Sequence, residues 1–302
     1  MKLKKWKYIL AAVLCLLFVQ MPAITEKTAV QVEAATVKKG LKKENGKYYY
    51  YVNNKKVKNV WKNVTQKVNG KKVTYRYYFG SNGAAYAGKK NAPAVKKISG
   101  AYYAFDVNGR MLKGTKLISG VYRTFSSSTG QMTGLVKSGS NYYYYSGKKK
   151  VTNAFKTVKY KNSAGKTYTY TYYFGKNGAA YKGKKDYSGA VVLAVKKIGG
   201  YYYGFDASAR RITGTWVVND KFYVFASNGR MNQTATNKLR KAAKYEANAA
   251  NLRKLLGKPS KTVTSSSCYG NGKDLLLYYP HFYVSLFKDK KGKEIVLGVM
   301  AR

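Results

Sequence analysis

Residues that could act as a nucleophile, a general base or a metal ligand are scarce in this chain. Its 302 residues include one histidine, His281, and two cysteines, Cys15 and Cys268. A cysteine and a histidine can serve as nucleophile and base, but the region that holds Cys268 and His281 is much smaller than a cysteine peptidase. One histidine and one cysteine also supply too few ligands for a metal site. We therefore predict no catalytic residue, no bound metal and no cofactor.

Carboxylates are equally few, with 11 Asp and Glu in the whole chain. Hydrolysis of a glycosidic bond normally needs two carboxyl groups that flank the bond. Asp106 and Asp206 occupy equivalent positions in two similar stretches, and in both they precede a turn, where Asp is favoured by its side-chain hydrogen bonds to the backbone. The sequence therefore indicates a protein that is not an enzyme.

Short stretches rich in aromatic residues recur along the chain. In the stretch 216–233 an apolar strand, Trp216–Val218, is followed by a polar turn and a second strand, Phe222–Phe225. Asn228-Gly229 then forms another tight turn, because both residues tolerate positive φ. Similar stretches occupy 98–114, 118–134 and 198–214. A hairpin this short cannot bury its own face, so it must stack on its copies.

The residues of these hairpins resemble the cell-wall-binding repeats of Gram-positive surface proteins, which include choline-binding and glucan-binding repeats. The positions that match are Trp216, Phe222, Tyr223, Phe225, Gly229 and Met231, and in an earlier hairpin Tyr122, Phe125, Gly130, Met132, Thr133 and Gly134. The resemblance covers Leu41 to Gln233. It implies that ligand lies between successive hairpins, held by cation–π contact or by stacking on a sugar.

The resemblance supplies a set of candidate ligand-binding residues. They are Trp216, Phe222, Tyr223, Phe225, Met231, Tyr202, Tyr203, Tyr102, Tyr103 and Tyr122. The alternative is that these tyrosines only hold the stack of hairpins together. Trp216 has the same two interpretations, a ligand contact or a packing residue between the last hairpin and the C-terminal region, and we favour packing.

The ligand is expected to be anionic or a neutral glycan rather than choline. Only the Trp216 unit is predicted to keep a first-strand Trp, and the aligned positions are Lys96, Lys116 and Lys196. A lysine in an aromatic cage repels a quaternary ammonium group and suits a phosphate or a uronate. The sequence therefore favours a teichoic acid, peptidoglycan or glucan as the partner.

Charge supports the same interpretation. The chain has 58 Lys plus Arg, and its formal net charge is +47. Such an excess seeks polyanions, and lysine acts as a mobile point charge. The candidate polyanion-binding residues are Lys96, Lys116, Lys196, Lys89, Lys90, Lys184 and Lys185. A merely solubilising surface is the alternative. Basic residues interleaved with tyrosines could also bind single-stranded nucleic acid, through charge and base stacking. The predicted export argues against nucleic acid as a physiological partner.

The repeat region is itself duplicated. Leu41–Lys90 returns as Leu135–Lys185, so we predict two copies of about four hairpins each, at 41–134 and 135–233. Repetition at this period indicates a solenoid. The second hairpin of each copy has longer strands, Val73–Phe79 and Tyr168–Phe174, and the insertion Lys159–Lys166 is predicted to be a protruding loop.

The two ends of the chain differ from the repeats. Residues 1–34 are typical of a secretory signal peptide, with basic residues before an apolar core, Ile9–Val19, that is too short to span a bilayer. The alternative for residues 1–34 is a membrane anchor that is not cleaved. Residues 35–40 are predicted to be a linker. Residues 234–302 predict a small α+β domain with one or two helices in Asn237–Leu256 and a C-cap at Gly257.

Three or four strands are predicted after that cap, at 261–266, 275–279, 282–287 and 294–300. This region resembles helix-plus-meander modules of the β-lactamase-inhibitor-like type. The expected fold is thus mostly β, a solenoid of stacked aromatic β-hairpins followed by a small α+β domain.

The expected function is that of a secreted, non-enzymatic cell-wall-binding protein, with no stable membrane span after signal cleavage. The alternative is a protein-interaction or inhibitor protein that acts through the C-terminal module on a protein partner, with the repeats only localising it.

Overall fold

A computed structural model describes residues 36–302, so the predicted signal peptide lies outside the described residues. The described chain forms successive antiparallel hairpins, then two helices and a four-stranded sheet. We number the hairpins 1 to 8. The strands of the first copy are β1 Gly40–Glu44, β2 Lys47–Val52 and β3 Lys55–Lys56 in hairpin 1, β4 Val60–Val68 and β5 Lys71–Phe79 in hairpin 2, β6 Ala94–Ile98 and β7 Ala101–Phe105 in hairpin 3, and β8 Gly114–Ile118 and β9 Val121–Phe125 in hairpin 4. Hairpin 5 contains β10 Met132–Ser138, β11 Asn141–Ser146 and β12 Lys149–Lys150, and hairpin 6 contains β13 Ala154–Lys161 and β14 Thr167–Phe174. After a small pair, β15 Lys184–Lys185 and β16 Val191–Val192, hairpin 7 contains β17 Ala194–Ile198 and β18 Tyr201–Phe205, and hairpin 8 contains β19 Gly214–Val218 and β20 Lys221–Phe225.

Every hairpin except hairpin 6 has a two-residue turn between its two main strands. Asn219 and Asp220, between β19 and β20, have φ of 47° and 57°. Two consecutive residues with positive φ match the right-handed twist of the flanking strands. The longer strands predicted for the second hairpin of each copy are confirmed as β5 and β14.

Successive hairpins are joined by a recurring backbone hydrogen bond and a buried phenylalanine. The N–H of Met111, just after hairpin 3, donates to the carbonyl of Arg76 in hairpin 2 at 2.8 Å, and Arg211 donates to Thr171 at 2.7 Å in the second copy. The second strand of most hairpins also ends on a buried ring. These rings are Phe79, Phe105, Phe125, Phe174, Phe205 and Phe225, each no more than 2% exposed. The mostly-β repeat fold is therefore confirmed, whereas the solenoid as an overall shape stays a prediction.

The two copies meet within one sheet. Met132 and Thr133 at the start of β10 pair with Phe125 and Thr124 of hairpin 4, and the rest of β10 pairs with β11. The predicted copy boundary at 134/135 thus falls inside a strand. The predicted protruding loop Lys159–Lys166 was too long, because β13 continues to Lys161 and Tyr160 pairs with Val121 of β9.

The C-terminal region has the predicted order of elements. Helices α1 (Gln233–Ala242) and α2 (Ala249–Leu256) begin after the N-caps Asn232 and Asn248, and Gly257 caps α2 with φ of 71°. The following sheet contains β21 Lys261–Ser266, β22 Gly272–Tyr278, β23 Phe282–Asp289 and β24 Glu294–Ala301. In the described chain no helix has the length and apolarity that crossing a membrane requires.

The C-terminal core is shared with hairpin 8. Val217 and Phe222 of that hairpin are 0% exposed and belong to the same buried cluster as Leu252, Leu277 and Val284 of the helices and sheet. Thr236 of α1 accepts the N–H of Val224 at 3.0 Å. A cut between 233 and 234 therefore passes through a continuous core.

Candidate functional site

Trp216 and Phe222 of hairpin 8 contact aromatic residues of the C-terminal region. Trp216 is 9% exposed and lies parallel to His281, with ring centroids 3.7 Å apart. Its indole N–H donates to the carbonyl of Thr213 at 2.9 Å. Phe222 packs edge-on against Phe282 at 5.2 Å and is fully buried. This arrangement matches the packing interpretation of Trp216.

Several predicted ligand-binding residues are therefore inaccessible in this structure. Phe222 and Phe225 are 0% and 2% exposed, so they form core, and Met231 packs partly buried beside Trp216. Tyr223 is half-buried beneath the guanidinium of Arg240, whose Cζ lies 4.4 Å from the ring centroid. The sequence could not show this, because the family motif does not record what covers the last hairpin.

The strand pairing places Lys96 and Lys196 at the position of Trp216, as the comparison of the repeats in the sequence predicted. Lys96 lies opposite Tyr103 and Lys196 opposite Tyr203, as Trp216 lies opposite Tyr223.

In hairpins 2 and 6 the position of Trp216 is held by lysine, Lys62 opposite Tyr77 and Lys156 opposite Tyr172. An aromatic residue stands one position earlier in each of these first strands. Trp61 lies opposite Tyr78 in hairpin 2, and Phe155 lies opposite Tyr173 in hairpin 6. The sequence analysis did not identify these two aromatic residues as candidates.

Trp61 is the centre of a group of touching rings, which we call aromatic cluster 1. It consists of Trp61, Tyr78, Tyr86, Tyr103 and Phe105. The Trp61 centroid lies 5.1 Å from Tyr78 and 4.8 Å from Tyr103. Tyr78 and Tyr86 are 5.2 Å apart. Edge-to-face and tilted pairs at these distances stabilise packing beyond their buried area.

The second copy repeats this group as aromatic cluster 2. It consists of Phe155, Tyr173, Tyr181, Tyr203 and Phe205. Phe155 lies 4.8 Å from Tyr173 and 5.1 Å from Tyr203, and Tyr173 lies 5.2 Å from Tyr181. Tyr103 and Tyr203, both predicted ligand contacts, are buried at 8% and 7% exposure within these clusters.

A lysine ammonium group lies over each cluster. The Nζ of Lys96 is 5.6 Å from the Tyr86 centroid, and that of Lys196 is 5.9 Å from Tyr181. These are the distances at which cation–π attraction operates. The cation at each cluster is thus supplied by the protein itself.

Lysine–tyrosine pairs continue along the exposed faces of the hairpins. Lys97 lies 5.7 Å over Tyr102 and 5.6 Å over Tyr145, and burial together with the neighbouring Tyr145 raises the pKa of the Tyr102 phenol. Further pairs are Lys62 over Tyr50, Lys159 over Tyr122 and Lys197 over Tyr202. Tyr102 and Tyr122 are half-buried, and Tyr202 is 43% exposed.

These cations have almost no counter-charge. All four ion pairs found between residues 36 and 302 involve only Glu44 or Glu294. Glu44 is already saturated, because hydrogen bonds from Lys38, Tyr51 and Lys56 lower its pKa to about 2. The lysines of hairpins 2 to 8 therefore present unneutralised charge.

The predicted polyanion-binding lysines do not form a single site. Lys89, Lys90, Lys184 and Lys185 are exposed, and the last two pair with β16. Lys96 and Lys196 lie over the two aromatic clusters. Lys116, in β8, lines a separate cleft.

That cleft, of about 630 Å³, was missed by the sequence analysis. We call it the arginine cleft; its lining includes Tyr75, Arg76, Asp106, Arg110, Lys113 and Lys116. The Cζ of Arg76 lies 4.5 Å from the Trp61 ring and that of Arg110 lies 4.0 Å from the Tyr75 ring. Arg110 also donates from Nη2 to Gln66 Oε1 at 3.1 Å. The sequence did contain a signal for this cleft, because Arg is rare in this Lys-rich chain.

Asp106 and Asp206 have the turn role that the sequence predicted. The Oδ1 atom of Asp106 accepts the N–H groups of Asn108 and Arg110, both at 2.8 Å. Asp206 accepts those of Ser208 and Arg210 in the same way, although burial raises its pKa. These carboxylates organise turns and face no partner carboxylate.

Cys268 and His281 are not brought together. They flank opposite ends of β22, and a seven-residue strand spans roughly 20 Å. Burial against Trp216 lowers the pKa of His281. In the described part of the chain no three His, Cys, Asp or Glu side chains are grouped as a metal site would require.

Comparisons with known proteins find similarity among solved structures only. No family model matches the chain, and no curated protein does. The structure of CbpF in complex with ipratropium is 20% identical over 64% of this chain and 53% of that chain, with a TM-score of 0.28. CbpJ from Streptococcus pneumoniae TIGR4 is 19% identical over 61% of this chain and 70% of that one, with a TM-score of 0.23.

A third similar structure is the multimodular pneumococcal cell wall endolysin from phage Cp-1, complexed with choline. It is 20% identical over 57% of this chain and 36% of that one, with a TM-score of 0.24. The chain thus spans about half the length of the CbpF structure and about a third of the endolysin. These similar structures include choline-binding proteins, the group whose repeats the hairpins were predicted to resemble. The resemblance of the C-terminal module stays a prediction.

Proposed function

We propose that this protein is a secreted, non-enzymatic cell-wall-binding protein whose repeats hold an anionic wall polymer. The observation that carries the proposal is the row of lysine–tyrosine pairs along the hairpins, whose charges have no carboxylate partner among residues 36–302. Such a surface combines long-range attraction to a polyanion with flat rings for stacking.

The lysines over the clusters favour an anion over choline. The ammonium groups of Lys96 and Lys196 lie where a quaternary ammonium ligand would need the faces of Tyr86 and Tyr181. A second cation there would be repelled, whereas a phosphate or carboxylate would be attracted. Teichoic acid is therefore the preferred polymer, with peptidoglycan and glucan as neutral or weakly charged alternatives.

The experiment is sedimentation of the full mature chain with purified sacculi, before and after acid extraction of teichoic acid, over a range of salt. We expect binding to fall steeply with salt, because exposed charges are screened over about 10 Å at 0.1 M. It should also fall after extraction. Equal retention at low salt and in 1 M salt would exclude the polyanion and favour a neutral glycan.

A second candidate function is protein binding through the C-terminal region. The observation in its favour is β21, which is exposed at all six positions and, among the described strands, pairs only with β22. A free strand edge can accept another strand. Wall binding that persists when the helices and sheet are deleted, with hairpin 8 retained, would assign wall binding to the repeats and leave this edge for a protein.

A further inference from the structure

We propose that the arginine cleft of the first copy binds a phosphodiester group of the polymer, at one site per chain. This inference rests on the proposed function and specifies where on the repeats a phosphate is recognised. The cleft joins hairpin 2, the segment after hairpin 3 and hairpin 4, so its charges come from three elements.

Four cations line the cleft against one carboxylate. Arg76, Arg110, Lys113 and Lys116 face Asp106, whose Oδ1 atom is already engaged by two backbone N–H groups. None of these four cations takes part in an ion pair within residues 36–302. An anion entering the cleft would supply the missing counter-charge.

The two guanidinium groups are held in place before any ligand arrives. Arg76 lies on the Trp61 ring and Arg110 on the Tyr75 ring, and Arg110 is held further by the hydrogen bond from its Nη2 to Gln66 Oε1. The Nε atom of Arg110 is buried and has no hydrogen-bond partner in the described chain. A planar, fixed fork of donors matches phosphate oxygens better than flexible lysines do.

The second copy arranges its charges differently, since Arg211 takes the place of Met111 with its Cζ 5.9 Å from the Phe155 ring. Arg210 keeps the position of Arg110, with its Cζ 4.0 Å from Tyr170, so this stacked arginine belongs to both copies. Thr171, Thr213 and Trp216 occupy the positions of Arg76, Lys113 and Lys116. Hairpins 6 and 7 nevertheless make the same backbone hydrogen bond as hairpins 2 and 3.

The second copy also differs from the first at the position of Lys116. Trp216, in the place of Lys116, is covered by His281. The cations of Arg76, Lys113 and Lys116 are therefore a property of the first copy alone, which predicts a stoichiometry of one.

The test is titration calorimetry of the full mature chain with poly(glycerol phosphate) at fixed low salt. The variant Arg76→Thr/Lys113→Thr imports the residues that the second copy already carries, so it should fold normally. Losing two charge-assisted contacts should lower affinity about tenfold or more. The control Lys290→Thr/Lys291→Thr removes the same charge from an exposed turn of the C-terminal sheet and should change affinity less than about twofold.

Equal losses in the two variants would overturn the cleft and show that binding depends on total charge alone. Equal competition by polygalacturonate, a carboxylate polymer, would overturn the choice of phosphate. If Arg76→Thr/Lys113→Thr has a lower melting temperature than wild type, the variant Arg76→Lys is tested in its place. Arg76→Lys keeps the positive charge but removes the planar guanidinium group, and it should still weaken binding. Sedimentation with sacculi separates the two proposals. If the wild-type protein does not sediment with sacculi, the proposed function is refuted. If the double variant sediments as fully as wild type, only the cleft is refuted.

Discussion

Trp216 and His281 lie face to face, with ring centroids 3.7 Å apart and planes 4° from parallel. The contact joins the last hairpin to the loop between β22 and β23. Because Trp216 is only 9% exposed, its ring contributes to packing between the repeats and the C-terminal region.

Replacing Trp216 by alanine should destabilise the protein by about 3–5 kcal/mol, as removal of large buried aromatic side chains does. Urea unfolding would measure the change. Trp216→Phe, which keeps a ring, should recover much of the loss. Wall binding measured well below the melting temperature should remain near wild type; a large loss of affinity with unchanged melting would instead make Trp216 a ligand contact.

The same contact predicts a dependence of stability on pH. Burial lowers the pKa of His281 below its usual 6.5, so the unfolded chain takes up this proton more readily than the folded one. The stability that neutral His281 provides is therefore complete above pH 6.5 and decreases as pH falls below it. Melting curves at about pH 7.5 and about pH 5.5 should show a larger decrease for wild type than for His281→Phe. Equal decreases in both proteins would contradict this assignment.

The shared core predicts how the C-terminal region behaves as a fragment. A fragment of residues 234–302 loses Val217 and Phe222 from its core and the N–H of Val224 that Thr236 accepts. It should give weak, non-cooperative thermal unfolding by circular dichroism. A fragment of residues 214–302, which adds hairpin 8, should unfold cooperatively. Identical stability of the two fragments would show that hairpin 8 is dispensable.

A glycine in the first copy is an alanine in the second, although both adopt positive φ. Gly109 has φ of 76° and Ala209 has φ of 63°. Gly109→Ala should cost about 1–2 kcal/mol for the left-handed backbone, and its new Cβ would lie 3.2 Å from both the Ala85 Cβ and the Tyr86 carbonyl. Ala209→Gly should be nearly neutral, because relief of strain offsets a buried methyl worth about 0.8 kcal/mol. Differential scanning calorimetry of both variants checks the asymmetry.

Local patterns in the sequence predicted the elements well. Tyr168, Tyr170 and Tyr172 alternate with Thr169 and Thr171, which indicated a long strand, and β14 covers them. Gly257 followed by Pro259 indicated a helix end, and Gly257 caps α2. Both signals depend on backbone preferences of adjacent residues, so no tertiary information was needed.

Contacts between distant segments were not predictable in the same way. Nothing near Phe222 in the sequence shows that Phe282 covers it, and the first-strand role of Trp61 depends on its register opposite Tyr78. The arginine cleft likewise needs three hairpins in their final positions. These features arise from packing, which a motif within one hairpin does not encode.

The strand β10 begins in one copy of the duplication and ends in the other, pairing with β9 at its start and with β11 along the rest. A duplicated region could in principle unfold as two separate units. Here neither copy can release its end of β10 without removing hydrogen bonds from the other, so their local openings are thermodynamically coupled. The repeat region should therefore lose its structure in one cooperative transition, and a proline placed in the middle of β10 should weaken hairpins on both sides of the boundary.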